Sequence, residues 1–495
     1  MGRQNILNCW PLALYQELGS QIDHMKGKKM TDQFLQFDRR TLLAGMLATG
    51  ATIGHGQASW AKGGARSDYD LARELYRYAF PLIFFGRYRH NSLTGLDVIT
   101  RQQMVVNQWS HASRTVTPES TGAPQTDTLY SILLGDLSQE PLLLTIPQMD
   151  GRYWSIQCCD FFGSTFAMIN RRNTPAAARV ALVGPNWRGR IPNGVDAVHR
   201  SPTPLIFTAM RTHFVSEADR EVVRTLRTGF SAAPLSGQIT GQSKAANLVA
   251  PSPRGDDPLA DFKLLAAMWA ACPPPSADRA YLRQFRKIGF GPGAKPDIGA
   301  LSVAQKAVFA QAEADGFAEV VAATKQAPGQ LTRNGWAMFG SDLGLYRNRD
   351  YLFRAMVAQQ GIIATPVTEN VYMSFQKFSD GSRLNGSDRF EIVFDAAALA
   401  DVGAFWSIHA YRLATFSVIP NALERYSISS RTQNLKFGAD GSLTVYAQSS
   451  DPGGERSNNW LPTKAGEELM LMTRAYEPKG KIADLTWPGP MVRRG

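Results

Sequence analysis

Asp127, Tyr130, Arg152 and Asp160 fall within one strand-rich stretch, Gln125–Arg172, where such side chains have no evident structural duty. His111 lies just upstream and is the residue type suited to proton transfer near neutral pH. His111, Asp127 and Tyr130 therefore form the candidate catalytic set, with imidazole or carboxylate moving a proton and the phenol assisting. Arg152 could hold a carboxylate or another anion in the two-pronged geometry of a guanidinium, with Asp160, Arg383 and Trp406 completing the candidate substrate-binding set. Each has a plain structural alternative. Asp127 precedes a strand and could fix a turn by accepting backbone N–H groups. Arg152 and Asp160 could form a buried ion pair, and a lone histidine is commonly a hydrogen-bonded structural one. Arg383 could pair across strands, and Trp406, Tyr411 and Trp460 could be core aromatics.

Other chemistries leave no signature. The histidines beyond the first 61 residues form no H-x-H or H-E-x-x-H spacing, so no metal site is assigned. There is no phosphate-binding loop and no Gly-x-Ser-x-Gly elbow. The string Gly289–Ala294 follows a helix rather than a strand and fits a helix end and turn better than a dinucleotide site. Chemistry without a cofactor is the expectation. The formal net charge of +11 is scattered, with no basic helix or RNA-reading motif, so no nucleic-acid partner is expected.

The elements that would position these residues are mostly strands. Apolar clusters at Leu142–Ile146 and Tyr153–Ile156 flank Asp150-Gly151, a hairpin dipeptide. A helix capped at Ser67-Asp68 runs to about Tyr88, with Pro81 expected to kink or break it. Ser216 and Asp219 form a capping box for a helix reaching Thr228. Residues 231–257, rich in Ser, Pro, Gly and Gln, read as a long loop or linker. Helices then follow at Leu259–Ala271, Ala277–Lys287 and Val303–Thr324, and one begins at Tyr351. From Asn370 to Thr473 the pattern returns to short strands separated by Asp-Gly and Asn-Gly turns. The predicted fold class is mainly β with α additions: two jelly-roll or sandwich-like β-domains, 62–230 and 351–495, joined by a linker and helical section, 231–350.

Phe37-Asp38-Arg39-Arg40-Thr41-Leu42-Leu43 reads as a twin-arginine export signal, followed by a short apolar run and Ser59-Trp60-Ala61. The run is shorter than the roughly 20 residues a bilayer span needs. Residues 1–61 are therefore expected to be a leader, Met30 being a conventional alternative start, and the mature protein to be periplasmic without an integral membrane span. Of the four cysteines, Cys9 falls in the leader, and adjacent Cys158 and Cys159 leave at most one bridge to Cys272.

Several motifs resemble a known pair of families. Asp127–Ser131 (D-T-x-Y-S), Asp136–Pro141 (D-L-S-x-x-P), Gly151-Arg152-Tyr153 and Gly184–Gly189 (G-P-x-W-x-G) resemble domain of unknown function 1254. Asp380-Gly381, Leu384, Gly386, Phe405-Trp406-Ser407, Arg425-Tyr426-Ser427, Asp440–Leu443, Asn459–Pro462 and Arg474-Ala475-Tyr476 resemble its companion, domain of unknown function 1214. Gln125 stands where the first family usually has Asn. The resemblance implies two β-rich, jelly-roll-like domains and no particular chemistry. The functional expectation is a cofactor-independent periplasmic hydrolase or lyase acting on a polar or anionic small molecule in a cleft between the β-domains. The alternative is a non-catalytic ligand- or glycan-binding protein of the cell envelope. Homo-oligomerisation is left open.

Overall fold

The computed structural model describes residues 66–495 apart from 114–119, 121, 238–249 and 327–329. The twin-arginine motif, Ser59–Ala61, Met30 and Cys9 lie outside the described residues.

The N-terminal half contributes β1 (Ser110–His111), β2 (Thr128–Asp136), β3 (Leu142–Ile146), β4 (Trp154–Asp160), β5 (Thr165–Asn170), β6 (Ala178–Val183), β7 (Ala197–Arg200), β8 (Leu205–His213) and β9 (Ser231–Pro234). These form a five-stranded antiparallel sheet, β1-β2-β8-β4-β5, and a four-stranded sheet, β7-β6-β3-β9. Side chains alternate across a strand, so one face of the first sheet carries Leu133, Ile156, Ile169, Ile206 and Met210. That face closes on Leu142, Leu144, Ile146, Val180 and Leu182 of the second, making a dry sandwich core. Gly151, at φ +80, sits in the β3–β4 connection in a conformation that only glycine adopts freely. At Gly184 a Cβ would lie 2.4 Å from the carbonyl oxygen of Leu137, so the backbone after β6 approaches too closely for any side chain.

The C-terminal half repeats the plan with β10 (Gln330–Arg333), β11 (Trp336–Phe339), β12 (Asn370–Phe375), β13 (Phe390–Phe394), β14 (Trp406–Arg412), β15 (Ser427–Ser429), β16 (Leu443–Gln448), β17 (Trp460–Pro462), β18 (Leu469–Tyr476) and β19 (Met491–Arg494). A six-stranded sheet, β10-β11-β12-β18-β14-β15, faces a four-stranded one, β17-β16-β13-β19. Met373, Ile408 and Leu471 from the former and Ile392, Phe394, Val445 and Leu461 from the latter share a core. The fold is thus two sandwich-like sheet pairs with helices, as the strand spacing led us to expect.

Helices Asp68–Thr94, Ala260–Ala271, Val303–Gln326 and Tyr351–Gly361 pack against Ile132, Leu134, Phe207 and Ala209 on part of the other face of the five-stranded sheet. Asp68–Gly495 form one compact unit.

Three expectations are corrected and one open point is closed. The first helix is not broken at Pro81 but continues to Thr94, because burial around its circumference outweighs the hydrogen bond that proline removes. Residues 231–257 are not all loop: Ser231–Pro234 extends the four-stranded sheet by pairing with β3. The helix expected over Ala277–Lys287 is an α-turn, Arg279–Leu282, flanked by 3-10 turns. The bridge to Cys272 that the sequence leaves open is not formed among the described residues, where Cys158, Cys159 and Cys272 are buried and free.

Candidate functional site

The two larger sheets turn polar rows toward each other. On the five-stranded sheet, Tyr130, Arg211, Ser155 and Asn170 are register partners in a single row across β2, β8, β4 and β5. On the six-stranded sheet, Tyr372, Arg474, Ser407 and Ser429 form the corresponding row across β12, β18, β14 and β15. Each row therefore places an arginine beside a tyrosine in the middle of a sheet. The rows meet through Gln125, whose Nε2 lies 3.4 Å from Ser407 Oγ and 3.5 Å from the Tyr476 hydroxyl. They meet again through Tyr153, which donates to Glu369 Oε1 at 2.7 Å and packs against Phe405 and Tyr476.

Arg211 is 4% exposed and its Nη1 has no hydrogen-bond partner among the described residues. No carboxylate pairs with it there; its guanidinium lies 5.5 Å from the centre of the Tyr130 ring, with Tyr372, Tyr476 and Tyr153 within electrostatic reach. Among the described residues Arg474, 2% exposed, is held by neutral groups. Nη1 donates to the Tyr411 hydroxyl at 2.9 Å and to His409 Nδ1 at 3.3 Å, and Nη2 to the carbonyl of Ala123. Isolated buried guanidinium groups are costly, and most are paired. Around this pair Asn370 leaves both side-chain polar atoms unpartnered, as do Gln157 Oε1 and Thr128 Oγ1. Tyr130 remains half-buried although its strand neighbours are buried.

The remaining titratable groups are locked. Asp127, fully buried, accepts from Arg431 Nε at 2.6 Å; burial alone would raise its pKa, but Arg431 and the nearby histidines hold it below the ordinary carboxylate value. His409 is driven down to about 3, first by burial and then by Arg474, so it is neutral at pH 7. Because Arg474 donates to Nδ1, the ring proton sits on Nε2, which donates to Thr126 Oγ1 at 2.9 Å. Burial also raises the Tyr411 and Tyr476 hydroxyls above the usual phenol range.

The sequence-derived candidates separate. Asp127 and Tyr130 border this polar layer. His111 does not: its Nδ1 lies 2.7 Å from Ser131 Oγ, on the face of the sheet opposite Tyr130, and burial with Arg227 nearby lowers it to about 4. Arg152 does not pair with Asp160. It makes a bidentate contact to Asp219 at 2.9 and 3.0 Å and binds Asp150 at 2.7 and 2.8 Å, beside an open cleft of about 330 Å³. Asp160 stands at the far end of β4, where Oδ1 accepts the N–H groups of Phe162 and Ser164 at 2.9 Å. Arg383 meets Glu468 at 3.2 Å on the exposed surface. Trp406 points into the sandwich core, 5.4 Å from Phe394 between ring centres. Gln125, where the family pattern suggested Asn, accepts the N–H groups of Thr126 and Asp127 through Oε1, fixing the turn into β2.

Arg211, Arg474, His409 and Arg431 were missed. The usable signal was an arginine inside an otherwise apolar strand, as in Leu-Ile-Phe-Thr-Ala-Met-Arg211 and Met-Leu-Met-Thr-Arg474. Among the described residues no cluster of histidine, cysteine and carboxylate side chains could hold a metal ion. No helix there is long and apolar enough to cross a membrane.

Fold and site together define a protein of two β-sandwiches whose larger sheets share a buried, arginine- and tyrosine-rich polar layer. Residues 106–234 match the family described as Protein of unknown function (DUF1254), and residues 369–480 match Protein of unknown function (DUF1214); the chain carries both families' regions, in that order. The crystal structure of the VPA0106 protein from Vibrio parahaemolyticus is similar, with TM-score 0.65 and 22% identity over 87% of this chain and 100% of that one. A putative uncharacterized protein from Burkholderia cenocepacia aligns at TM-score 0.44 and 14% identity, over 85% of this chain and 88% of that one. The likeness to VPA0106 is one of fold. Comparison with curated proteins gives no match.

Proposed function

We propose that this is an exported protein that binds a small anionic molecule in the polar layer between its two sandwiches. The observation that carries the reading is Arg211, a buried guanidinium with no carboxylate partner and an unpartnered Nη1 among the described residues. A carboxylate or phosphate oxygen would satisfy it in a low-dielectric setting, where charge-assisted hydrogen bonds are strong. Binding is favoured over acid–base catalysis because both ring nitrogens of His409 are engaged, by Arg474 and Thr126, and Asp127 is tied to Arg431. A catalytic reading, hydrolase or lyase, would rest on the Tyr130 hydroxyl, which has no hydrogen-bond partner among the described residues beside Arg211. Export rests on Arg39-Arg40 and the apolar run after it. Changing both arginines to lysine should leave the precursor unprocessed in the cytoplasm, and continued export would refute it.

The test of the site is thermal denaturation of wild type and Arg211→Met in a series of carboxylates and phosphates. Wild type should be stabilised by at least one anion and the variant by none. Without anion the variant should melt no lower than wild type, since an uncompensated buried charge has been replaced by a side chain of similar length. A variant that is strongly destabilised without ligand, beside a wild type indifferent to every anion, would overturn the reading.

A further inference from the structure

Resting on that anion-binding reading, the charge balance of the layer points to a more specific ligand. The acidic side chains that touch it are already neutralised: Asp127 by Arg431 at 2.6 Å, and Glu369 by Arg172 at 2.6 Å, with Tyr153 and Asn170 donating to the same carboxylate. His409 contributes no charge, because its Nδ1 accepts from Arg474. Two cations are left over, Arg211 and Arg474, one from each sandwich and each in the middle of its sheet. No other carboxylate pairs with either among the described residues.

The donors still free divide unequally. Of the five N–H groups of a guanidinium, Arg474 directs three at Tyr411, His409 and Ala123, leaving two. The Arg211 guanidinium makes no hydrogen bond among the described residues. Tyr476, two residues along β18 from Arg474, lies 5.2 Å from the Tyr153 ring, whose hydroxyl is 2.9 Å from Ser155, the register partner of Arg211, so the two guanidinium groups face the same layer. The aromatic stack His213–Phe405–Tyr476, with successive ring centres 4.2 Å apart, walls it on one side.

We propose that the ligand is a small dianion carrying two negative charges, one opposite Arg211 and the other opposite Arg474. Arg211 supplies most of the hydrogen bonds, and Arg474, pre-oriented by Tyr411 and His409, supplies the second charge. Dicarboxylates and phosphate monoesters share this chemistry. A monoanion would leave one buried cation unmatched, and a neutral sugar would leave both.

Calorimetric titration with C4 to C6 dicarboxylates and inorganic phosphate, each against the matched monocarboxylate, tests this on the full mature protein. At least one dianion should bind tenfold or more tightly than its monoanionic counterpart. Arg474→Met should bring that dianion down to the monoanion's affinity and leave the monoanion nearly unchanged. Arg211→Met should abolish both. The melting temperature of each variant without ligand separates loss of binding from loss of folding, and an Arg474→Lys protein, which keeps the charge, should retain part of the dianion preference. Equal affinity for dianion and monoanion would overturn the proposal while leaving the anion site standing. Absence of binding by every anion would overturn both.

Discussion

Asp127 and Arg431, 304 residues apart in the chain, meet at 2.6 Å between Oδ1 and Nε. The first belongs to the segment matching DUF1254 and the second to the segment matching DUF1214. Arg431 also lies over the Phe214 ring at 4.7 Å, so the contact fastens one sandwich to the other at the edge of the shared polar layer. It carries no free charge. Its role is to close the layer, in which Arg211 and Arg474 have no carboxylate partner among the described residues.

Asp127→Ala should therefore destabilise the protein by about 3 kcal/mol, the scale for stranding one member of a buried pair. Arg431→Met strands a fully buried carboxylate and should cost at least as much, while the double variant should cost less than the sum. Denaturant unfolding of the four proteins gives the coupling. Because the folded-state pKa of Asp127 is lowered, its contribution is present above the unfolded value near 3.9 and is lost as pH falls below it. Strict additivity of the two single changes would refute the pairing.

The histidines give an acid dependence at higher pH. His409 is lowered to about 3 and His111 to about 4, both first by burial, so the fold favours their neutral forms. The contribution of the two histidines should be full above about pH 6.5 and decline as pH falls from there toward 4, because the unfolded chain takes up these protons first. Proton NMR titration should find both rings neutral at pH 6. A ring from either residue titrating near 6.5 would contradict its burial.

Asp160 works in the opposite direction. Burial raises it to about 6, against the nearby Arg354 charge and the two N–H groups it accepts. A raised carboxylate pKa means that the contribution of Asp160 to stability is greatest below about pH 4 and falls between 4 and 6 as the group ionises. Asp160→Asn retains an acceptor oxygen for Phe162 and Ser164 and should remove that segment of the pH profile. Relative to wild type, the variant should gain about 1–3 kcal/mol at pH 8 over its value at pH 4. An unchanged profile would mean that Asp160 stays ionised throughout.

Arg152 is expected to be structural. Its side chain bridges Asp150 and Asp219, and Asp219 also accepts Val215 N–H at the start of helix Glu217–Thr228. Arg152→Ala should lower stability by about 1–3 kcal/mol and leave anion binding unchanged. Loss of anion binding with an unaltered melting temperature would return Arg152 to the site.

Local pattern alone determined the order of elements. Leu443–Gln448 and Phe390–Phe394 were legible because alternating apolar residues between Asp-Gly and Asn-Gly turns specify a half-buried strand. Ser216 announced its helix because the cap is a contact three residues long. The pairing of the two families was legible too, since its motifs are turn residues and close backbone approaches. The partners of charged side chains were not. Asp127 and Arg152 stood out as chemistry in need of an explanation, yet their partners, Arg431 and Asp219, lie 304 and 67 residues away. Arg211 and Arg474 looked like the ends of ordinary strands, and only sheet register put each at the centre of a buried row. Strand periodicity says which side chains share a face. It cannot say which other sheet that face will meet, because the pairing of faces is decided by long-range burial.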